Sequence, residues 1–205
     1  MHLRKHRENI RNLAILTFQS LDGVMQAPSD PNEDTSGGFT QGGWAQDCWN
    51  EVMEQVGREA MSSEYDLLLG RKTYEIFATH FPKADKNNPV AQKLNNATKY
   101  VVASEKSKTE WKNSIFINGN IASEIEKIKN KKGPLLQVHG SWELIQELLK
   151  YDLIDEFRLW TFPIIIGTGK RLFTEKNIPK KLLLLKSEVC PSGAIMTIYR
   201  TKRDE

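Results

Sequence analysis

Two glycine-bearing junctions hold the residues best suited to chemistry. Gly70-Arg71-Lys72-Thr73 follows the apolar run Leu67 to Leu69, and His139-Gly140-Ser141 follows Leu135, Leu136 and Val138. At each place a run of buried-strand type gives way to a small residue and then to helical periodicity. A helix start leaves backbone N–H groups unpaired at the positive end of its dipole, so a phosphate is favoured there. Glycine lets the main chain turn tightly and approach a ligand. Arg71 and Lys72 add charge to the first junction alone, and Thr73 adds a hydroxyl; a solvated basic turn is the alternative reading. Ser141 suits an N-cap, with Glu143 in the first turn. Leu144, Ile145, Leu148 and Leu149 recur at helical spacing and face a sheet. Two anion sites with cations at only one suit a dinucleotide carrying an extra phosphate.

Other signals are weaker. Val101-Val102-Ala103-Ser104 reads as a strand ending in serine, which matters only if Ser104 lies beside Arg71 at the edge where α/β ligands bind. His139 can act as a proton donor or stack on a cofactor, although a histidine in a strand-end turn is more often structural. The stretch from Gly167 to Phe173 resembles a phosphate loop, but Ile164 stands where the upstream glycine is needed and no Ser or Thr follows Lys170. It reads as a turn stiffened by Pro163. The pairs Gly37-Gly38 and Gly42-Gly43 follow no strand and read as flexible loop. His2, His6 and His80 have no metal-ligand spacing with Cys48 and Cys190, so no metal site is expected. Trp44 and Trp49 lie beside the long loop 28–43, where they can line a pocket for a flat ring.

The elements that must position these residues alternate. Residues 13–18 read as a strand, 44–62 as a helix, 65–69 as a strand, and 70 to about 79 as a helix. Strands are expected at 100–103 and 115–117, with a lysine-rich helix at 121–131. A strand, a helix and a second strand follow between Leu135 and Ile166. A final hairpin, 182–189 and 194–200, turns at Pro191-Ser192-Gly193. The pattern predicts an α/β fold with a mostly parallel central sheet and an antiparallel C-terminal hairpin. With 205 residues, 39% hydrophobic and 27% charged, one domain with a substantial core is expected. A net charge of +3 calls for no nucleic acid. No run reaches the roughly 20 apolar residues of a membrane span, and LAILTF is too short for a signal peptide. Two separated cysteines suit a reducing cytoplasm.

Taken together, SLDG at Ser20 to Gly23, GRKTYE from Gly70, the strand ending at Ser104, HGS-x-x-L at His139 to Leu144 and DLIDEFRLWTFPIIIGTGKRLF from Asp152 resemble the dihydrofolate reductase superfamily. The resemblance is specifically to relatives of the C-terminal reductase domain of bifunctional riboflavin biosynthesis proteins. The resemblance runs from about Asn12 to Arg200. It implies one three-layer domain over residues 12–200, with about eight strands and polar tails at 1–11 and 201–205. It also implies NADPH as hydride donor and a small-molecule substrate, a heterocycle or a ribosylamino-pyrimidine. Gly70, Arg71, Lys72, Thr73 and Ser104 would hold the adenosine end, with Arg71 and Ser104 nearest the 2′-phosphate. Gly140 and Ser141 would take the pyrophosphate, with His139 and Leu144 nearby. Leu21, Asp22 and Gly23, following Ser20, would border the nicotinamide. Dihydrofolate reductases carry two adjacent glycines where this chain has His139-Gly140. They also carry a buried carboxylate on the helix lining the pterin pocket. Ungapped counting back from Gly70 brings Glu54 to that place, with Asp47 and Glu51 close by; a solvated helix face is the alternative. A true dihydrofolate reductase, or a nucleotide-binding protein of this fold without turnover, are the rival functions. The resemblance further implies a homodimer, for which Phe157, Leu159, Trp160 and Phe162 offer an apolar surface.

Overall fold

The computed structural model describes residues 11–60, 62–104, 110–175 and 177–202. The expected polar tails fall almost wholly outside the described residues. Arg11 does not belong to a tail: its guanidinium is buried, donating to Asp66 at 2.6 Å and to the Pro134 carbonyl at 2.7 Å.

Eight strands form one sheet: β1 (Leu13–Ser20), β2 (Tyr65–Gly70), β3 (Lys99–Val102), β4 (Ser114–Ile117), β5 (Leu135–Val138), β6 (Glu156–Phe162), β7 (Leu182–Val189) and β8 (Ile195–Thr201). Their order is β4-β3-β2-β5-β1-β6-β8-β7. The first six run parallel to one another, and β8 is antiparallel to both β6 and β7. The α/β fold expected from the sequence is therefore present, with the antiparallel hairpin at its C-terminal side. Most positions of the central strands are apolar because helices cover both faces of the sheet.

The helices are α1 (Trp49–Ala60), α2 (Arg71–His80), α3 (Pro89–Asn96), α4 (Ile121–Lys129) and α5 (Trp142–Lys150). On one face α4 and α5 bury Ile125, Leu144, Ile145 and Leu148 against Leu13, Ile15, Leu136, Val138 and Leu159. The other face carries two separate apolar clusters. Helices α2 and α3 pack Tyr74, Ala78 and Leu94 on Leu67, Leu69 and Val101. Helix α1 packs Val52 and Val56 on Leu16, Trp160, Phe162 and Met196. Strand β5 lies between these clusters in the sheet order, so its side chains on that face floor the seam between α1 and α2.

Several local expectations change. The helix expected over 44–62 starts as a short 3-10 turn at Gln46–Cys48 and becomes α-helical only at Trp49. Helix α3 was not legible as a helix: Pro89 sits in its first turn, and the Asn88 side chain accepts from the N–H groups of Val90 and Ala91. Strand β6 ends at Phe162, before Pro163. The apolar surface expected from Phe157, Leu159, Trp160 and Phe162 does not exist, since these residues are 0–5% exposed and divide between the two sheet faces. Among the described residues, no helix is long and apolar enough to cross a membrane.

Candidate active site

The two glycine junctions meet. Gly70 ends β2 and starts α2, Gly140-Ser141 joins β5 to α5, and the Gly70 N–H donates to the Gly140 carbonyl at 3.1 Å. The approach is too close for any side chain. A Cβ on Gly70 would lie 2.3 Å from Ser141 Oγ, and one on Gly140, whose φ is +140°, would lie 2.8 Å from Thr73 Oγ1. Gly140 therefore serves both conformation and contact. The Gly140–Ser141 peptide bond is cis.

Neither helix start has a side-chain cap. Ser141 stands at the N-cap position of α5 but makes no capping bond; its hydroxyl faces Gly70 instead. Gly70 has no side chain to cap α2. Two uncapped helix N-termini thus open side by side at the C-terminal edge of the sheet, where donors and dipoles favour an anion.

The other expected residues group around this point in part. Arg71 and Lys72 are exposed on the first turn of α2, and Arg71 pairs with Glu75 at 3.2 Å. Gly70 is level with Val102 in the β2–β3 register, so the exposed Ser104, two residues further on, emerges at the same edge. Thr73 touches the Gly140 turn. Leu144 is 4% exposed and belongs to the core under α5.

Leu21, Asp22 and Gly23 lie across the sheet edge, after β1. Leu21 is 65% exposed, while Gly23 has φ +84° in the turn. Asp22 is a clamp. Its carboxylate accepts from Ser20 Oγ (2.7 Å), Ile166 N–H (3.1 Å), Gly167 N–H (2.8 Å) and Arg171 (3.1 Å). The Ser20 hydroxyl, then the Ile166 and Gly167 N–H groups, hold this carboxyl well below the usual aspartate range. The loop after β6 is thereby fastened to the end of β1. Its continuation through Gly169, Lys170, Arg171 and Phe173 lines, with Trp142 of α5, an open groove of about 580 Å³.

The long loop 28–43 is packed over this region. Trp44 Nε1 donates to the Gln26 carbonyl at 2.7 Å, Lys170 pairs with Asp34 at 2.6 Å, and Phe39 is buried with Val24 and Ala27. Gly42 lies against Pro31, where a Cβ would come within 2.7 Å of its carbonyl, so that glycine pair is a packing feature. Trp44 and Trp49 do stand beside Phe162 and Phe18, with ring centroids 5.5 and 5.0 Å apart.

Glu54 does not reach a pocket. It is 75% exposed and pairs with Arg58 at 3.8 Å on the solvent side of α1. Asp47 and Glu51 are exposed as well, Glu51 accepting from the Ser192 N–H. The least exposed carboxylate of this helix, Glu59, pairs with Lys186 of β7 at 3.3 Å, at the hairpin side of the sheet and away from the seam.

A polar chain on the floor of the seam went unread in the sequence. Glu156 pairs with Arg158 Nε at 2.7 Å, Arg158 Nη1 donates to Gln137 Oε1 at 3.1 Å, and Gln137 Nε2 lies 2.8 Å from His139 Nε2. The His139 ring also meets Phe77 and Tyr65. Burial, reinforced by the Arg158 charge, pushes its pKa down to about 4, so the ring is neutral at pH 7. The available signal was the alternation of charged Glu156 and Arg158 with apolar residues in β6, which placed both on one sheet face.

The sequence profile of the RibD C-terminal domain family matches residues 11–196. The chain belongs to that family. RibD C-terminal domains are reductases, so a reductase-type function follows. Among relatives, the chain is 27% identical over 169 residues to YyaP of Bacillus subtilis (strain 168), covering 80% of this chain and 89% of that protein. It is 29% identical over 143 residues to YwjB of the same organism, covering 66% and 76%. Among solved structures it resembles a protein named for riboflavin biosynthesis from Shewanella sp. PV-4, with TM-score 0.62, 22% identity, and 95% and 100% of the two chains covered. Dihydrofolate reductase from Enterococcus faecalis, complexed with NADP(H), gives TM-score 0.59 at 15% identity over 94% and 97%. These likenesses place the RibD-type chain in the dihydrofolate reductase fold.

Proposed function

We propose that this RibD C-terminal domain protein is an NADPH-dependent reductase that passes hydride to a small heterocyclic or ribosylamino-pyrimidine substrate. The observation that carries this reading is the pair of interlocked, uncapped helix N-termini at Gly70 and Gly140-Ser141, with cations at only one of them. Such a cradle fits a pyrophosphate whose adenosine end carries a further phosphate. Arg71, Lys72, Thr73 and Ser104 would hold the adenosine side, Gly140 and Ser141 the pyrophosphate, and Leu21 to Gly23 the border of the nicotinamide. His139 and Leu144 lie close behind that cradle. The cofactor supplies the hydride chemistry; the chain binds, orients and excludes water. The exposed Glu54 weighs against a true dihydrofolate reductase.

Arg71→Ala tests the assignment. NADPH affinity is expected to fall by about 1.5–3 kcal/mol while NADH affinity changes little. Equal losses for the two cofactors would remove Arg71 from the 2′-phosphate. The surface pair with Glu75 costs little to break on binding.

We place the protein in the cytoplasm as a homodimer. Its contact surface moves from the buried β6 residues to the outer strand β7, whose free edge carries the exposed Leu183, Leu184 and Leu185.

A further inference from the structure

Between the two apolar clusters on one sheet face lie two polar side chains, Gln137 of β5 and His139 directly after the strand. Ala14 of β1 is level with Gln137 on one side and Glu156 on the other. Its methyl group is small enough for Arg158 of β6 to reach across β1 to Gln137 Oε1 at 3.1 Å. A guanidinium only donates, so the Gln137 atom facing Arg158 must be the amide oxygen. The Gln137 amide nitrogen then faces His139 Nε2 and can only donate to it. The imidazole must therefore accept at Nε2, and when neutral it carries its proton on Nδ1. Among the described residues that Nδ1–H has no hydrogen-bond partner, and it is not one of the fully enclosed unpaired atoms. One position beyond the Ile15–Val138 pair, His139 comes level with Leu16, under the seam between α1 and α2.

We propose that Arg158 and Gln137 lock His139 as an Nδ1–H donor, which contacts an acceptor atom of the substrate, a carbonyl oxygen or an unprotonated ring nitrogen. This deepens the reductase reading and rests on it, the substrate ring entering the seam between α1 and α2 above His139. His139 is then a specificity residue, and Gln137 and Arg158 are positioning residues that act through it. A ring that offers only donors or apolar edges to this point leaves the Nδ1–H unpaired and is selected against.

Histidine-selective nitrogen NMR of the whole protein, with 5-aminouracil and aniline as probes, tests the proposal. At pH 7, His139 should show a protonated Nδ1 and a bare Nε2. Gln137→Glu should reverse this, because a carboxylate accepts from Nε2–H or retains a second proton on the ring. Adding 5-aminouracil, which presents two carbonyl acceptors, should move the Nδ1 resonance. Its affinity should fall about five- to tenfold in His139→Phe, whereas aniline, with no carbonyl, should bind both proteins alike. A protonated Nε2 in the wild type, an Nδ1 resonance that 5-aminouracil leaves unmoved, or equal effects on both probes would overturn the inference. NADPH titration separates the two readings. NADPH binding with the wrong tautomer sinks this inference alone. The expected tautomer and probe response without NADPH binding sinks the cofactor reading alone.

Discussion

Asp22 and His139 show how single residues set the chemistry of this edge through the donors around them. Four donors converge on the Asp22 carboxylate, from Ser20, Ile166, Gly167 and Arg171. Asp22→Asn turns one acceptor into a donor facing donors, and is expected to lower unfolding free energy by about 1.5–3 kcal/mol at pH 7. The folded carboxyl titrates below the unfolded one, so on acidification the unfolded chain takes up the proton first. The stabilisation is complete above the ordinary aspartate pKa of about 4 and is lost below it. Denaturant titrations at pH 7 and pH 3 should show the gap between wild type and variant shrinking; a constant gap would contradict the clamp. His139 acts with the same sign in a higher window. Its pKa of about 4 lies below the ordinary value of 6.5, so stability falls as pH drops from 6.5 to 4, by about 1–3 kcal/mol. His139→Phe should lose this part of the pH dependence, measured by denaturant unfolding at pH 7 and 4.5. An unchanged slope would place the titration elsewhere.

The junction of α2 with α5 decides whether a cofactor can be held. Gly70→Ala would drive its Cβ into Ser141, 2.3 Å from Oγ and 3.0 Å from Cβ. A loss of about 1–3 kcal/mol is expected, with part of it restored in the double variant Gly70→Ala/Ser141→Gly. Thermal unfolding checks both, and additive losses would show that the two residues do not share a contact. Both junctions were legible because an apolar run, a glycine and a helical repeat follow one another in sequence. What Ser141 does there was not legible: its type predicts a cap, but the neighbouring chain draws the hydroxyl toward Gly70. Helix α3 escaped notice because its only buried apolar residues are Ala91 and Leu94, too few to set a period. Glu54 looked plausible by counting alone, but it lies two residues, about half a helical turn, from the buried Val52 and Val56, and so on the solvent side.

At the scale of the molecule, the strand alternation announced a parallel sheet ending in a hairpin, and the family resemblance supplied the count of about eight strands, but the strand order was not legible, because local pattern does not encode which strands become neighbours. The apolar residues of β6 pointed outward in the sequence reading only because the α1 layer and the α4–α5 layer that cover them cannot be seen in one segment. The exposed apolar strand is β7. Leu184→Glu should halve the solution mass in sedimentation at micromolar concentration, and a monomeric wild type would end the homodimer proposal. A two-phosphate cradle with cations at one end should distinguish NADPH from NADH, and calorimetric titration of the protein with each, separately, measures the difference. NADPH should bind saturably and at least about tenfold tighter than NADH, the free-energy equivalent of one charge-assisted contact. Binding of neither cofactor, or of both equally, would contradict that cradle.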